Sequence, residues 1–283
     1  MKKKNYPSLS GKKVAVIGAT GGLGGALCRH LGSLGATILP IGRNQSKLQG
    51  LADELKSEFP ELSVTLVCAD LEDMESVKSA ADKLIAADVD FLILSAGAYH
   101  IPRRTCPSGF DNVFQINFLA PYYLARLMKP HIEGKGGRIV AVSSLSCAFA
   151  KFRPDDPQYL KVRTAARVYG NAKRLLTFAL FGLFGDSDAL AVAHPGISPT
   201  GITSGYPKAI QALIKYPMKL IFASPERASR CILDAVFLSP GRGKWIGPRV
   251  LGIWGGPHVS RVRGYSTDGD SAFLLAEEKC DRI

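Results

Sequence analysis

Over its first two hundred residues the chain alternates short apolar runs with amphipathic segments, and few folds tolerate that rhythm. The runs are Lys13–Gly18, Ala36–Ile41, Ser63–Ala69, Phe91–Ser95, Arg138–Ser143 and Leu190–His194. Most are continuously apolar, as strands buried on both faces of a parallel sheet must be. Helical patterns separate them over Gly22–Leu34, Gln45–Glu58, Met74–Ala87, Asn112–Ile132 and Thr164–Phe184. Strict β-α alternation calls for right-handed crossovers and a doubly wound α/β sheet with helices on both faces. After residue 196 the rhythm breaks. A Gly-, Pro- and Ser-rich loop and an amphipathic stretch lead to a helix over Pro225–Leu238, a late strand near Lys244–Gly247 and a short helix over Ser271–Glu278. The expected organisation is a basic tail at 1–10, one domain over 11–256 and a C-terminal tail at 257–283.

Composition removes several classes of function. With 46% hydrophobic and 21% charged residues the chain is not disordered, and a chain this long buries roughly three quarters of its unfolded surface. The net charge of +12 invites a polyanionic partner. The charge is scattered, however, and Lys2-Lys3-Lys4 is its only dense run. No aromatic-basic interleaving accompanies it, so nucleic acid is not expected. The six cysteines include no C-x-x-C pair and the five histidines are dispersed. No metal site or disulfide framework is expected, and a reducing cytoplasm fits. Behind the basic N-terminus comes Tyr6-Pro7-Ser8-Leu9-Ser10-Gly11 rather than the apolar core of a signal peptide. The longest apolar run, Leu175 to Gly185, is about half of what a bilayer span needs.

Gly18-Ala19-Thr20-Gly21-Gly22-Leu23-Gly24 lies between the first strand and the first helix. Glycines there let the backbone turn tightly and approach a pyrophosphate, which meets amide donors and the positive end of the helix dipole. At the end of the second strand a site for NAD carries an acid for the ribose 2′-hydroxyl. This chain has Ile41-Gly42-Arg43-Asn44 instead. Arg43 can pair bidentately with a 2′-phosphate, so NADP(H) is the expected cofactor; the other use for Arg43 is to cap the next helix.

Tyr169-Gly170-Asn171-Ala172-Lys173 places a phenol and an ammonium four residues apart, on one face of the helix after the fifth strand. A free phenol titrates near 10 and is a poor base at neutral pH. A nearby lysine cation is expected to lower that value. Tyr159 and Arg163 have similar spacing and are the competing pair.

These motifs, in this order, resemble the short-chain dehydrogenase/reductase family, a Rossmann-type fold, over Gly11 to about Val250. The glycine loop resembles the family's T-G-x-x-x-G-x-G, with Ile17 in place of Thr. Asp70 resembles the Asp that holds the adenine amino group. Ser95-Ala96-Gly97 resembles Asn-Ala-Gly beside the adenosine, with Ser95 in place of Asn. Tyr169 and Lys173 match Y-x-x-x-K. Ser144, the second serine of Gly137-Arg138-Ile139-Val140-Ala141-Val142-Ser143-Ser144, matches the serine that hydrogen-bonds the substrate oxygen. Asn117 matches the asparagine that kinks its helix and links the lysine to solvent. Pro195, Ile197 and Thr200 fall in a match to P-G-x-x-x-T, whose loop receives the nicotinamide carboxamide.

The interval from Ser144 to Tyr169 is long for the family and similar to that of its retinol-dehydrogenase-like branch; a surface-loop insertion over Lys151–Thr164 also accounts for it. Residues 198–222 occupy the family's substrate lid. Ile202, Tyr206, Ile210, Leu213 and Ile214 make an apolar stripe there, punctuated by Lys208, Lys215 and Lys219. A lid over an apolar substrate fits the stripe, and so does a peripheral contact with a membrane. The resemblance thus implies an oxidoreductase of carbonyl-reductase type acting on a hydrophobic secondary alcohol or ketone of steroid, retinoid or fatty-acyl kind. A non-catalytic NADP(H) sensor of the same fold is the alternative. The apolar surplus on the helices Asn112–Ile132 and Thr164–Phe184 points to a homodimer or homotetramer.

Overall fold

β1 (Lys13–Ile17) is the strand from which the sheet is wound in both directions. The computed structural model describes residues 5–162, 164–196 and 224–283. In chain order the first half contains α1 (Gly22–Ser33), β2 (Thr37–Gly42), α2 (Gln45–Glu58), β3 (Val67–Cys68), α3 (Met74–Ala86) and β4 (Phe91–Leu94). Next come α4 (Asn112–Phe114), a π-helical turn (Gln115–Leu119), α5 (Ala120–Gly134), β5 (Arg138–Val142), a 3-10 turn (Leu145–Phe149), α6 (Ala165–Phe184) and β6 (Leu190–Ala193). α7 (Pro225–Phe237), β7 (Lys244–Val250), β8 (Trp254–Arg261) and α8 (Tyr265–Cys280) complete the described elements.

The strand order is β3-β2-β1-β4-β5-β6-β7-β8, parallel except for the last pair. This is the single-domain Rossmann-type fold that the alternation requires. Alternate residues of β1 serve two cores, because successive side chains leave opposite faces of a strand. Val14 and Val16 pack with Leu27, Leu31 and Leu55 of α1 and α2. Ala15 and Ile17 pack on the other face with α3, α5 and α6. Order reverses between β1 and β4, so the loops at the carboxyl ends of these strands diverge and open a crevice.

Helix ends follow local chemistry. Asn44 caps α2 by accepting from the Lys47 amide, and Asp73 caps α3 from Glu75 and Ser76. Arg43 is therefore not the cap of α2. The third strand is shorter than the apolar run: beyond Val67–Cys68 only Val64 bridges to Ile38. Two elements extend past the sequence reading. β7 turns into β8, an antiparallel edge strand through Gly255-Gly256-Pro257, residues that sheets admit at their edges. The stretch from Pro257, read as a tail, supplies most of β8 and then α8.

α8 also answers the apolar surplus on α5 and α6. Tyr265 meets Phe178 and Phe181 edge-on at 5.5 and 5.0 Å, and the Tyr122 hydroxyl of α5 donates to Glu277 at 2.6 Å. The face that suggested a second subunit is covered within the chain, so it carries no argument for an oligomer.

The α6–α8 contact closes at Gly182, where a Cβ would stand 2.5 Å from that of Phe273. On an isolated helix Gly→Ala stabilises by roughly 1 kcal/mol. Here the added methyl must push α8 away, and Gly182→Ala is expected to destabilise by about 1–3 kcal/mol. Thermal unfolding checks it: a raised Tm would mean that α8 is not seated as described.

Candidate functional site

The crevice is a cleft of about 650 Å³ at the carboxyl edge of the sheet, lined from the β1–α1 loop to Gly196. Its floor is made by close backbone approach. Gly18 has φ +80, and a Cβ on it would lie 2.7 Å from Ala96 Cα. A Cβ on Gly24 would strike the Gly18 carbonyl, so α1 begins hard against the turn. Thr20, Gly22, Leu23 and Gly24 line the cleft, with the N-terminus of α1 aimed into it. The surface therefore keeps the side-chain-free cradle that a pyrophosphate needs.

Arg43, Asp70, Ala96 and Gly97 also line the cleft. The Arg43 guanidinium is 63% exposed and stands 3.5 Å from Glu72. Ser95, in the family's asparagine position, donates to Ile17 O at 2.7 Å and ties β4 to β1, so a shorter side chain braces the sheet.

Asn117 is completely buried in the π-helical turn, with its amide fully used. Nδ2 donates to Val113 O at 2.8 Å and to Ala98 O at 2.9 Å, while Oδ1 accepts from Ala98 N at 2.9 Å. The side chain takes up a carbonyl one turn back in its own helix and pins the loop after β4. A buried amide needs such partners, and the π turn is the kink expected there.

Lys173 is buried beside it, and Nζ donates to Ala96 O at 3.0 Å and Val142 O at 3.1 Å. Burial pulls its pKa down to about 8. Burial pushes the Tyr169 phenol up to about 12, against a lowering hydrogen bond from Ser144 and with a smaller raising effect from Tyr99. The expectation that Lys173 lowers the phenol pKa is therefore corrected. Nζ sits 6.0 Å from the ring centroid and is committed to two carbonyls, while loss of solvent dominates at the hydroxyl. Gly97 marks where the three side chains converge: a Cβ there would be 3.4 Å from Asn117 Oδ1, 3.5 Å from Tyr169 Oη and 3.6 Å from Lys173 Cε.

The paired serines separate by strand alternation. Both border the cleft, but Ser143 is buried and its hydroxyl is engaged with Thr177 at 2.8 Å, whereas the Ser144 hydroxyl pairs with Ser146. Ser146, which follows two residues later, meets the Ser144 hydroxyl at 2.8 Å and lines the cleft too. The S-S-x-S spacing could have singled it out. Tyr99, edge-on to Tyr169 at 5.4 Å, gave no such signal.

Tyr159 does not line the cleft. Its hydroxyl donates to Lys151 O and its ring packs with Val113 and Val168. Arg103 binds the insertion down through Asp111 and the carbonyls of Gln158, Tyr159 and Val162. Pro195 lines the cleft; Ile197, Thr200, Arg163 and the 198–222 segment lie outside the described residues. Among the described residues no helix is long and apolar enough to cross a membrane, and no His/Cys/Asp/Glu cluster could hold a metal.

Known proteins resemble this chain in sequence and in fold. Residues 12–153 match the family model described as short chain dehydrogenase. The chain is 36% identical over 163 residues to the short chain dehydrogenase rstn4 of Aspergillus nomiae, covering 53% of this chain and 44% of that relative, so under half of the relative's length is spanned. Human polyprenol dehydrogenase is 24% identical over 269 residues, covering 88% and 77%. Mouse retinol dehydrogenase 12 is 29% identical over 202 residues, covering 69% and 64%. Among solved structures, an uncharacterised protein of Mycobacterium paratuberculosis superposes with TM-score 0.74 over 97% of this chain and 95% of that one, at 24% identity. A Beutenbergia cavernae protein described as a candidate NAD(P)-dependent gluconate 5-dehydrogenase, solved with NADP bound at low occupancy, gives TM-score 0.60 at 26% identity, covering 82% and 90%.

His194 borders this site at the end of β6. Its ring lies 4.4 Å from that of Trp245, and Nδ1 accepts from Gly196 N at 3.3 Å. Burial lowers its pKa from 6.5 to about 4. In the unfolded chain the imidazole protonates first as pH falls, so its contribution to stability is whole above 6.5 and is lost toward 4. Between pH 7 and pH 4 the protein should lose about 3 kcal/mol more than His194→Asn does. Denaturant unfolding at both pH values reads it; parallel losses would mean that the ring is not buried neutral.

Proposed function

Because the chain belongs to the short-chain dehydrogenase/reductase family, we propose that it is an NADP(H)-dependent oxidoreductase acting on a hydrophobic alcohol or carbonyl compound. The observation that carries this reading is the convergence of the Tyr169 hydroxyl, the Asn117 amide and Lys173 about Gly97, with Ser144 alongside. A sensor needs no such constellation. The cradle fits a dinucleotide: Gly18, Gly22 and Gly24 would hold the pyrophosphate and Asp70 the adenine. Arg43 lines the same cleft with an exposed guanidinium and no acid stands at Gly42, so Arg43 would hold a 2′-phosphate, which favours NADP(H) over NAD(H).

The nicotinamide, when bound, supplies or accepts the hydride. The chain's own residues handle the substrate oxygen and the proton. Tyr169 is the general acid in reduction and the base in oxidation. Its phenol is protonated at neutral pH, which suits it to donate as charge builds on a carbonyl oxygen. Ser144 would hydrogen-bond that oxygen, its own hydroxyl oriented by Ser146. Lys173 spends two of its three donors on Ala96 and Val142, and the third would be left for a ribose hydroxyl of the bound cofactor. Asn117 holds the loop that carries Ala96 and Gly97 in register. Tyr99, Ile101, Ile116, Leu145 and Phe149 give the cleft an apolar wall, and two relatives are named for isoprenoid alcohols. The substrate class that fits is a long apolar alcohol or the corresponding aldehyde or ketone.

Tyr169→Phe keeps the ring and its packing, so folding and NADPH binding should survive while kcat on a hydrophobic carbonyl panel falls by 10²-fold or more, about the scale of general acid–base catalysis. Tyr159→Phe should stay active. Near-normal turnover by Tyr169→Phe would end this reading.

A further inference from the structure

Glu72 is the rival that a cofactor phosphate must displace from Arg43. Its carboxylate, on the segment after β3, is 11% exposed and stands 3.5 Å from the Arg43 guanidinium. Left alone it would hold that guanidinium and repel an incoming dianion. A second carboxylate is close, since the Glu72 amide donates to Asp70 Oδ1 at 3.0 Å.

Glu72 is not left alone. Arg104, from the loop between β4 and α4, grips it with a fork: Nε donates to Oε2 at 2.8 Å and Nη2 to Oε1 at 2.7 Å. Such two-point pairing is the strongest arrangement open to a carboxylate. The loop is itself fixed, with the Arg104 amide donating to Asn112 Oδ1 at 3.2 Å and the Asn112 amide to Arg104 O at 2.9 Å. The Arg43 contact is the long one of the three. With Arg104 present, a second guanidinium neutralises the Glu72 carboxylate, and Arg43 keeps an exposed, weakly engaged head. Without it, Glu72 would have Arg43 as its one guanidinium partner.

We propose that Arg104, which does not line the cleft, is a specificity-determining residue that releases Arg43 for a 2′-phosphorylated dinucleotide by neutralising Glu72. The inference rests on the NADP(H) reading above and adds to it a residue that no motif identifies. Cofactors without the 2′-phosphate should be indifferent to Arg104.

Fluorescence titration of NADPH and NADH, with no substrate present, tests it on the full chain. Arg104→Ala should weaken NADPH by about tenfold, the scale of a lost charged hydrogen bond, and change NADH by less than about twofold. Arg104→Gln, which keeps a donor but not the charge, should lose the same preference. Arg104→Ala combined with Glu72→Gln should bind NADPH within about threefold of the unaltered protein, since the rival anion is gone. Equal weakening of both cofactors, no change in their ratio, or a double variant as weak as Arg104→Ala would overturn the proposal. Arg43→Ala separates the two readings. If the unaltered protein shows no NADPH preference, or keeps one without Arg43, the cofactor reading itself falls. A preference that needs Arg43 and ignores Arg104 removes only this inference.

Discussion

The ammonium of Lys173 has to be satisfied without bulk water, and much of the carboxyl edge of the sheet is arranged around that requirement. Its two acceptors are carbonyls at or just beyond the ends of neighbouring strands, Val142 of β5 and Ala96 after β4. A buried ammonium lacking such partners would cost several kcal/mol. Meeting the cost fixes the spacing between α6 and the two strand ends. Ala96 in turn lies against Gly18, and Gly97 lies under Asn117. One desolvated charge thus sets the geometry of cradle, phenol and loop together, and its lowered pKa of about 8 is the residue of that cost.

The same helix carries the second constraint. Arg174, next in sequence, points to the other side, where it pairs with Asp268 of α8 at 2.7 Å and donates to Cys147 O at 3.2 Å. The 3-10 turn that follows Ser144 is thereby tied to the C-terminal helix. Buried ion pairs of this kind add little net stability compared with an apolar contact, but they disfavour alternative arrangements because each partner is costly alone. α8 is in this sense part of the wall behind the site, as well as a cover for α5 and α6.

How much of this the sequence made legible follows from how local each signal is. Parallel strands buried on both faces read as unbroken apolar runs, and so the doubly wound sheet was foreseeable. Glycine spacing and the Tyr169–Lys173 interval act within one turn and were equally readable. β8 was not, because Gly255, Gly256 and Pro257 are poor strand formers and only an edge position admits them. The seating of α8 was hidden as well: its buried residues include the small Ala272 and Ala276, and Phe273 closes against Gly182, with little amphipathic contrast along the helix. Tyr99 beside Tyr169 and the Glu72–Arg104 fork are meetings of separate segments, which no linear spacing announces. The expectation about the phenol failed for a related reason. Sequence gives the presence of a lysine one turn away, but burial and the orientation of its amine decide what the phenol experiences.

Under the proposed function, hydride would pass within this cleft between NADPH and an apolar carbonyl whose oxygen takes its proton from Tyr169. Incubating the protein with NADPH deuterated at the transferable C4 position and a panel of long-chain or isoprenoid carbonyls, followed by mass spectrometry of the products, addresses it most directly. The expected product is an alcohol carrying one deuterium on the former carbonyl carbon, formed by the unaltered protein and lost with Tyr169→Phe. Deuterated alcohol formed equally well by Tyr169→Phe, or no labelled alcohol from any member of the panel despite tight NADPH binding, would contradict it.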